Sequence, residues 1–258
     1  MKVYIETHAH FYPVFDLEIF LKSFIANTKL KNSDSSVGII FLTESSNFNY
    51  FDVFSERYRV NDFVIKRVSD YVLEFESDSK LIYFIKSKQV VTKEKIELLI
   101  VGFNYIGDGE ESVKIIDSSI EKDALIILPW GFGKWNFRKK KHIKELINKY
   151  SEYDLFFLGD NVSRTVNFLS NDIFEFAKKK GIRVLNGSDP LPFKGEDKYV
   201  GKFYVELIIN EFNKNYPYES LKNILRKKDS IVKNLGRRDN LYTFIKRQLK
   251  INLKKYFR

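Results

Sequence analysis

Two of the three histidines of this chain, His8 and His10, lie two residues apart at the end of the strand-like run Lys2-Val-Tyr-Ile-Glu-Thr-His8. Side chains alternate faces in an extended strand, so both imidazoles point the same way, ~6.5–7 Å apart along the backbone. At that separation the pair can close on one metal ion, and neutral imidazole is a favoured ligand for zinc, iron, nickel or copper. Pro13 and Asp16 show the chain leaving the strand just beyond. The pair therefore falls at a strand's carboxyl end, where parallel α/β sheets and barrels hold their ligands.

Other reactive residues also follow apolar runs. Asp189 sits in Gly187-Ser-Asp-Pro190, directly after Ile182-Arg-Val-Leu185. It reads as a metal ligand or as the base that takes a proton from metal-bound water, against the plainer reading of a turn residue before proline. Glu44 ends the run Val37-Gly-Ile-Ile-Phe-Leu42, the same place in a second strand, where it reads as a further ligand or a helix-capping acid. Asp160, Asn161 and Arg164 follow Leu155-Phe-Phe-Leu158 and offer another ligand and a clamp for carboxylate or phosphate, or a helix cap. Pro129 to Trp135 carries the only two tryptophans, Trp130 and Trp135, with two glycines and Lys134. Glycines let backbone N–H groups approach an anion, the lysine adds a point charge, and an indole can stack on a sugar or base. The alternative is a tight turn with its indoles packed over a barrel mouth. His142 lies among Lys139, Lys140, Lys141 and Lys144 and reads as a surface residue.

The elements that must position these groups alternate. Asp16 can cap a helix whose Leu17, Phe20, Leu21, Phe24 and Ile25 form one apolar face. Helices near 110–122, 138–150 and from about Asn171 to Gly181 each lead into a short continuous apolar run, the pattern of strands covered on both faces. Residues 58–101 depart from this. Four β-rich runs follow one another too closely for helical crossovers and predict antiparallel hairpins, with 96–101 rejoining the main sheet. Gln89, Thr92 and Glu97 lie there and can face the site, in a register the sequence leaves open.

At 258 residues and 44% hydrophobic content, the chain can bury a full core. No apolar run approaches the length of a spanning helix, and no signal-like segment opens the sequence. The absence of cysteine excludes disulfides and thiolate metal sites. Cytoplasmic location follows by default, with peripheral membrane contact as an option. The net charge is +10, and the stretch from Lys214 to Arg258 carries fourteen basic residues against Glu219, Asp229 and Asp239, so the body is close to neutral. From Asp239 onward, Leu241, Phe244, Ile245, Leu249, Leu253 and Tyr256 make an apolar stripe, with Lys246, Arg247, Lys250, Lys254 and Lys255 on the remaining face. This is a basic amphipathic helix that packs on its own domain or meets an anionic membrane surface, nucleic acid or a partner.

His8-x-His10 ending the first strand and Gly187-Ser188-Asp189 ending a late one resemble the polymerase-and-histidinol-phosphatase (PHP) domain and, more distantly, the amidohydrolase superfamily. Both are metal-dependent hydrolases on β/α barrels, and phosphoesters are the usual substrates of the first. The resemblance covers roughly residues 1–210. It implies that His8 and His10 are ligands, that Asp189 is a ligand or base, and that the cofactor is divalent zinc, manganese or iron. Thr43-Glu44-Ser45 lies where the PHP pattern has Thr-Asp-His, so Glu44 replaces the acid and Ser45 removes a histidine. Glu97 answers to the family's glutamate ligand. Further family histidines are Pro190-Leu191, Pro129-Trp130 and Asp160 here, so a single ion is expected.

The resulting expectation is an α/β fold: a distorted TIM-like (β/α)7-8 barrel over 1–213 with a β insertion near 58–101, and a helical extension over 214–258 packed on it. Metal ligands are sought among His8, His10, Glu44, Glu97, Asp160 and Asp189. Asp189 and Lys134 are the catalytic candidates, and Trp130, Lys134, Trp135, Asn161 and Arg164 the substrate contacts. The function expected is metal-activated hydrolysis of an anionic substrate, first of all a phosphoester. The alternative is a barrel without turnover that binds an anion, glycan, membrane or nucleic acid through its basic tail.

Overall fold

The apolar runs become strands, and the one-sided runs become helices laid over them. The computed structural model describes residues 1–45, 48–103, 107–135, 137–165 and 172–256. In chain order the elements are β1 (Lys2–Ala9), α1 (Leu17–Thr28), β2 (Ser36–Glu44), α2 (Tyr50–Ser55), β3 (Arg59–Val60), β4 (Phe63–Ser69), β5 (Val72–Ser77), β6 (Lys80–Val91), β7 (Glu97–Val101) and α3 (Ser112–Glu121). They continue with β8 (Leu125–Pro129), α4 (Phe137–Tyr150), β9 (Phe156–Asn161), α5 (Asp172–Lys179), β10 (Val184–Gly187), β11 (Phe203–Ile208), α6 (Pro217–Arg226), β12 (Val232–Gly236) and α7 (Leu241–Tyr256). Asn171, the expected start of α5, lies outside the described residues.

One sheet runs in the order β10-β9-β8-β7-β6-β2-β1-β11-β12, and β5, β4 and β3 branch from β6. The strands β1, β2 and β6 are parallel, as are β8, β9 and β10. Between these sets β7 is antiparallel to both neighbours, so the stretch 96–101 does rejoin the main sheet. The sheet curls until β10 meets β1, where Asp189 donates its N–H to the His8 carbonyl at 2.8 Å and Thr7 Oγ1 donates to the Asn186 carbonyl at 2.9 Å. Asn234 of β12 spans the remaining gap, accepting from Asn186 N at 3.0 Å and donating to the Val184 carbonyl at 2.8 Å. Side chains thus close a seam between β10 and β12 where the described residues form no ladder. The result is a nearly closed, distorted TIM-like barrel.

Strand parity sorts the core into layers. Val3, Ile5, Val37, Ile39, Phe41, Tyr83, Leu99, Ile127, Phe157 and Leu185 fill the interior, and Tyr218, Leu221 and Leu225 of α6 plug one end. Tyr4, Ile40, Leu42 and Phe84 pack outward under α1 and α2, and Ile126, Leu128 and Leu158 outward under α3, α4 and α5. Asp16 caps α1 through Oδ1, which accepts from Ile19 N at 2.9 Å. Leu17, Phe20, Leu21 and Phe24 of that helix are buried, each contributing ~1.5–3 kcal/mol of apolar burial. Gly38 is required beneath it, since a Cβ there would lie 2.5 Å from Phe24 Cε1.

Residues 214–258, expected as a helical extension, hold α6 and α7 with one strand, β12, between them, and β11 precedes them. Val205 and Leu207 of β11 face the interior, and β12 adds the sheet's last strand through its ladder with β11. The helix α7 buries Phe244 of its apolar stripe and leaves four other stripe residues exposed. Among the described side chains of α7, Phe244 and Arg247 are buried, whereas Leu241, Ile245, Leu249 and Leu253 are 45–57% exposed. The side chains of Lys254, Lys255 and Tyr256 lie outside the described residues. No described helix is long and apolar enough to cross a membrane.

Candidate metal centre

Strict alternation from Val3 and Ile5 would send His8 and His10 outward, on the side of Tyr4. The register of β1 against β2 shifts between Glu6 and Ala9, and this irregularity inverts the parity so that Ala9 packs outward instead. Both histidines consequently enter the mouth of the barrel, a case of a bulge re-aiming side chains at a strand end. Glu6, fully buried, secures the turn by accepting from His8 N at 3.0 Å, Ser188 N at 2.8 Å and Gly201 N at 2.8 Å. Burial raises its pKa to about 7 against the pull of those bonds. Gly187 lets β10 approach closely, because a Cβ there would lie 2.6 Å from His8 Cβ.

The imidazoles meet with Nε2 atoms 3.1 Å apart, and Asp189 Oδ1 lies 3.7 Å from His8 Nε2 and 3.9 Å from His10 Nε2. Among the described residues, His8, His10 and Asp189 form the group of three or more His or acidic side chains whose ligand atoms lie within 4.8 Å of one another. Tetrahedral zinc with bonds of ~2.0–2.2 Å sets neighbouring donors ~3.3–3.6 Å apart, so this donor set fits a divalent ion after shifts of a few tenths of an ångström. His10 Nδ1 is held by the Thr43 carbonyl at 2.8 Å. Burial, with His8 beside it, lowers the His10 pKa to about 4, which leaves a neutral ring able to ligate near neutrality. Burial works to raise Asp189, but His8, His10, Lys134 and Arg247 hold it below the ordinary carboxylate range. Asp189 adopts φ of 47°, unusual for a non-glycine residue and tolerated best by Asp and Asn.

The same parity turns two expected ligands, Glu44 and Asp160, away from the histidine pair and corrects their roles. Glu44 shares the outward face of Ile40 and Leu42, and its Oε1 accepts from Phe51 N at 2.8 Å at the start of α2. Burial raises its pKa to about 7. Asp160 shares the outward face of Leu158 and is chelated by Arg164 Nε at 2.7 Å and Arg238 Nη1 at 3.0 Å. Arg164, expected to clamp a substrate, is itself buried and spent on that carboxylate and on the Phe174 ring, 4.3 Å away. Glu97 does face inward, but it pairs with Lys134 and stands apart from the histidine group.

The tryptophans are also corrected. Trp130 is buried in the outer layer, and Trp135 packs there with its ring 5.3 Å from Phe174, so neither indole faces the mouth. Asn161 acts within the protein: its Nδ2 donates to Asp189 Oδ2 at 3.2 Å and to the Trp130 carbonyl at 3.1 Å. Lys134 remains at the mouth with its side chain 46% exposed. His142 is 27% exposed and bonds Ser112 Oγ at 2.8 Å, away from the site.

Arg247 was expected on a solvated face. Instead it enters behind the site, donating to Glu196 Oε2 at 2.7 Å, Asp239 Oδ2 at 2.8 Å, Ser163 Oγ at 3.0 Å and the Asp189 carbonyl at 3.2 Å. Gln89 Oε1 lies 3.2 Å from both histidine Nε2 atoms. Its parity with Tyr83 and Ile85 on β6 could have identified it once the interior face of that strand was known.

No family model and no curated protein matches the chain. Solved structures do. PsfC from Pseudomonas syringae PB-5123 is similar with a TM-score of 0.56 at 10% identity, covering 91% of each chain. The lesion-specific endonuclease PfuEndoQ from Pyrococcus furiosus gives 0.58 at 16% identity over 92% of this chain. Endonuclease Q complexed with a 27-mer duplex bearing an abasic lesion at its active site gives 0.57 at 15%. This chain spans 59–60% of the length of those two endonuclease chains. At such identities the likeness is one of fold.

Proposed function

We propose that this chain is a metal-dependent hydrolase of phosphoesters, with a nucleic-acid backbone the first substrate class to test. The observation that carries the reading is the convergence of His8, His10 and Asp189 at the inner mouth of the barrel. The endonuclease activity named for two solved structures sharing the fold supports the choice of bond. Zinc, manganese and iron all suit imidazole with carboxylate.

A divalent ion bound there supplies Lewis acidity and an acidified water. The chain's own residues do the rest. His8, His10 and Asp189 would hold the ion, and Asn161 fixes Asp189 through Oδ2. Lys134, restrained by Glu97, presents an ammonium that can meet an anionic oxygen of the substrate. A binding module acting through Lys246, Arg247 and Lys250 has less support, because Arg247 is buried.

The test is elemental analysis of the purified protein beside His8→Ala/His10→Ala, with circular dichroism to show that both fold. About one equivalent of a transition metal in the wild type and none in the variant supports the reading. A screen with an activated phosphodiester and with intact and abasic duplex DNA then follows. A wild type that neither carries nor takes up metal ends it.

A further inference from the structure

Resting on that metal centre, we propose that Gln89 is a ligand of the same ion, giving a donor set of two imidazoles, one carboxylate and one neutral amide oxygen that holds a single ion.

The argument starts from one proton. The Thr43 carbonyl can only accept, so its 2.8 Å bond places the His10 proton on Nδ1. In the neutral ring Nε2 then carries a bare lone pair. That lone pair faces His8 Nε2 at 3.1 Å and Gln89 Oε1 at 3.2 Å, and Gln89 Oε1 is also 3.2 Å from His8 Nε2. The three atoms make a nearly equilateral triangle. Gln89 Oε1 is an acceptor too, so His8 Nε2 is the one corner able to bring a proton into the triangle. The side between His10 Nε2 and Gln89 Oε1 sets lone pair against lone pair with no hydrogen between them. With His10 buried and Gln89 partly buried, such an opposition of lone pairs is costly. A cation ~2.1 Å from each corner satisfies all three, and Asp189 Oδ1 stands as the next donor.

The charge of this set limits the site to one ion. Two-metal centres hold their ions ~3.5–4 Å apart and need anionic ligands for both. Here Asp189 is the carboxylate that the histidine group contains. Glu44 and Asp160 face outward, Glu97 is paired with Lys134, and Glu6 is held by three backbone N–H groups. One carboxylate against a divalent ion leaves a net positive centre, which favours an anionic substrate oxygen.

The rival arrangement turns the amide round, so that its N–H donates to the His10 lone pair and Gln89 is only a hydrogen-bonding neighbour. Titration of zinc against a competing chelator, with cobalt substitution as a spectroscopic probe of coordination, separates the two in the intact 258-residue chain. The expected result is one zinc in the wild type, affinity at least about tenfold weaker with a changed cobalt spectrum in Gln89→Leu, and tighter binding in Gln89→Glu. Unchanged affinity and spectrum in Gln89→Leu would overturn the proposal while leaving the metal centre standing. If Gln89→Leu does not fold, unchanged affinity in Gln89→Glu overturns it equally. Two zinc ions in the wild type also refute it. A wild type that binds none removes the parent reading instead.

Discussion

Asn161 donates from Nδ2 to Asp189 Oδ2 across 3.2 Å, and the same nitrogen reaches the Trp130 carbonyl at 3.1 Å, tying three strand exits together at the candidate centre. Its Oδ1 accepts from Ser163 N at 3.0 Å, which fixes the direction of the amide. Replacing Asn161 with Ala should therefore leave the donor atoms in place but free to swing. Outer partners of metal ligands are worth ~10–100-fold in affinity, so zinc binding should weaken by that factor while circular dichroism stays that of the wild type. Unaltered affinity in a folded Asn161→Ala protein would show that Asp189 needs no such support.

Asp160 serves as an opposite control. Its carboxylate pairs with both Arg164 and Arg238 in a cluster outside the barrel interior. Asp160→Asn removes the carboxylate that both guanidinium groups bond and should cost ~3–5 kcal/mol, read as a lowered urea midpoint. Metal stoichiometry should not change. Loss of metal at unchanged stability would mean that Asp160 is a ligand after all.

Arg247 anchors the last helix by its charge. The side chain is 4% exposed and pairs with Glu196 and Asp239, themselves 8% and 0% exposed. Arg247→Leu removes the cation paired with Glu196 and one of the two paired with Asp239, Lys202 remaining at 3.0 Å, and should destabilise the protein by ~3 kcal/mol. Lys246→Leu, on the exposed face, should stay within ~0.5 kcal/mol. Comparable thermal shifts for both variants would contradict the buried network.

Glu44 makes stability depend on pH in a direction opposite to most carboxylates. Burial raises its pKa from 4.5 to about 7, despite bonds from Phe51 and Tyr50 N–H and the nearby charges of Lys86 and Lys88. Between those values the folded state binds more protons than the unfolded state, so stability falls as pH rises from about 4.5 through about 7. The integrated loss is of order 3 kcal/mol. Glu44→Gln should match the wild type at pH 4.5 and be more stable at pH 8, as measured by urea unfolding at both. Glu6, raised to about 7 as well, leaves a slope of the same sign in the variant. Equal wild-type and variant stability at pH 8 would show that Glu44 is not desolvated.

Much of the barrel was legible because covered strands are short continuous apolar runs. β2, β8 and β9 stand out for that reason, and the closely spaced hairpins of β4, β5 and β6 stand out by their lack of room for helices. The strand β12 was not legible: Val-Lys-Asn-Leu-Gly is half polar and pairs only at the sheet's edge. For β11 the signal was present, since Phe203, Val205 and Leu207 alternate with Tyr204 and Glu206. In the site, His8, His10 and Asp189 declared themselves by residue type and position. Which way Glu44, Asp160 and Gln89 point depended on strand parity, and for β1 parity is inverted by a single irregularity that composition does not encode. Arg247 was misassigned because a buried network can draw in a charged side chain where amphipathic periodicity alone turns it to solvent.

The contact from Arg247 to the Asp189 carbonyl joins positions 58 residues apart, with the buttress on the later one. On the ribosome the histidine pair is made first, Asp189 long afterwards, and the guanidinium that braces it later still. The centre therefore matures in the order of synthesis. Asn161, made before Asp189, holds the aspartate's side chain without α7, and Arg247 adds a later brace to its backbone carbonyl. The helix α7 thus braces the turn that carries Asp189 from behind, without touching its carboxylate oxygens.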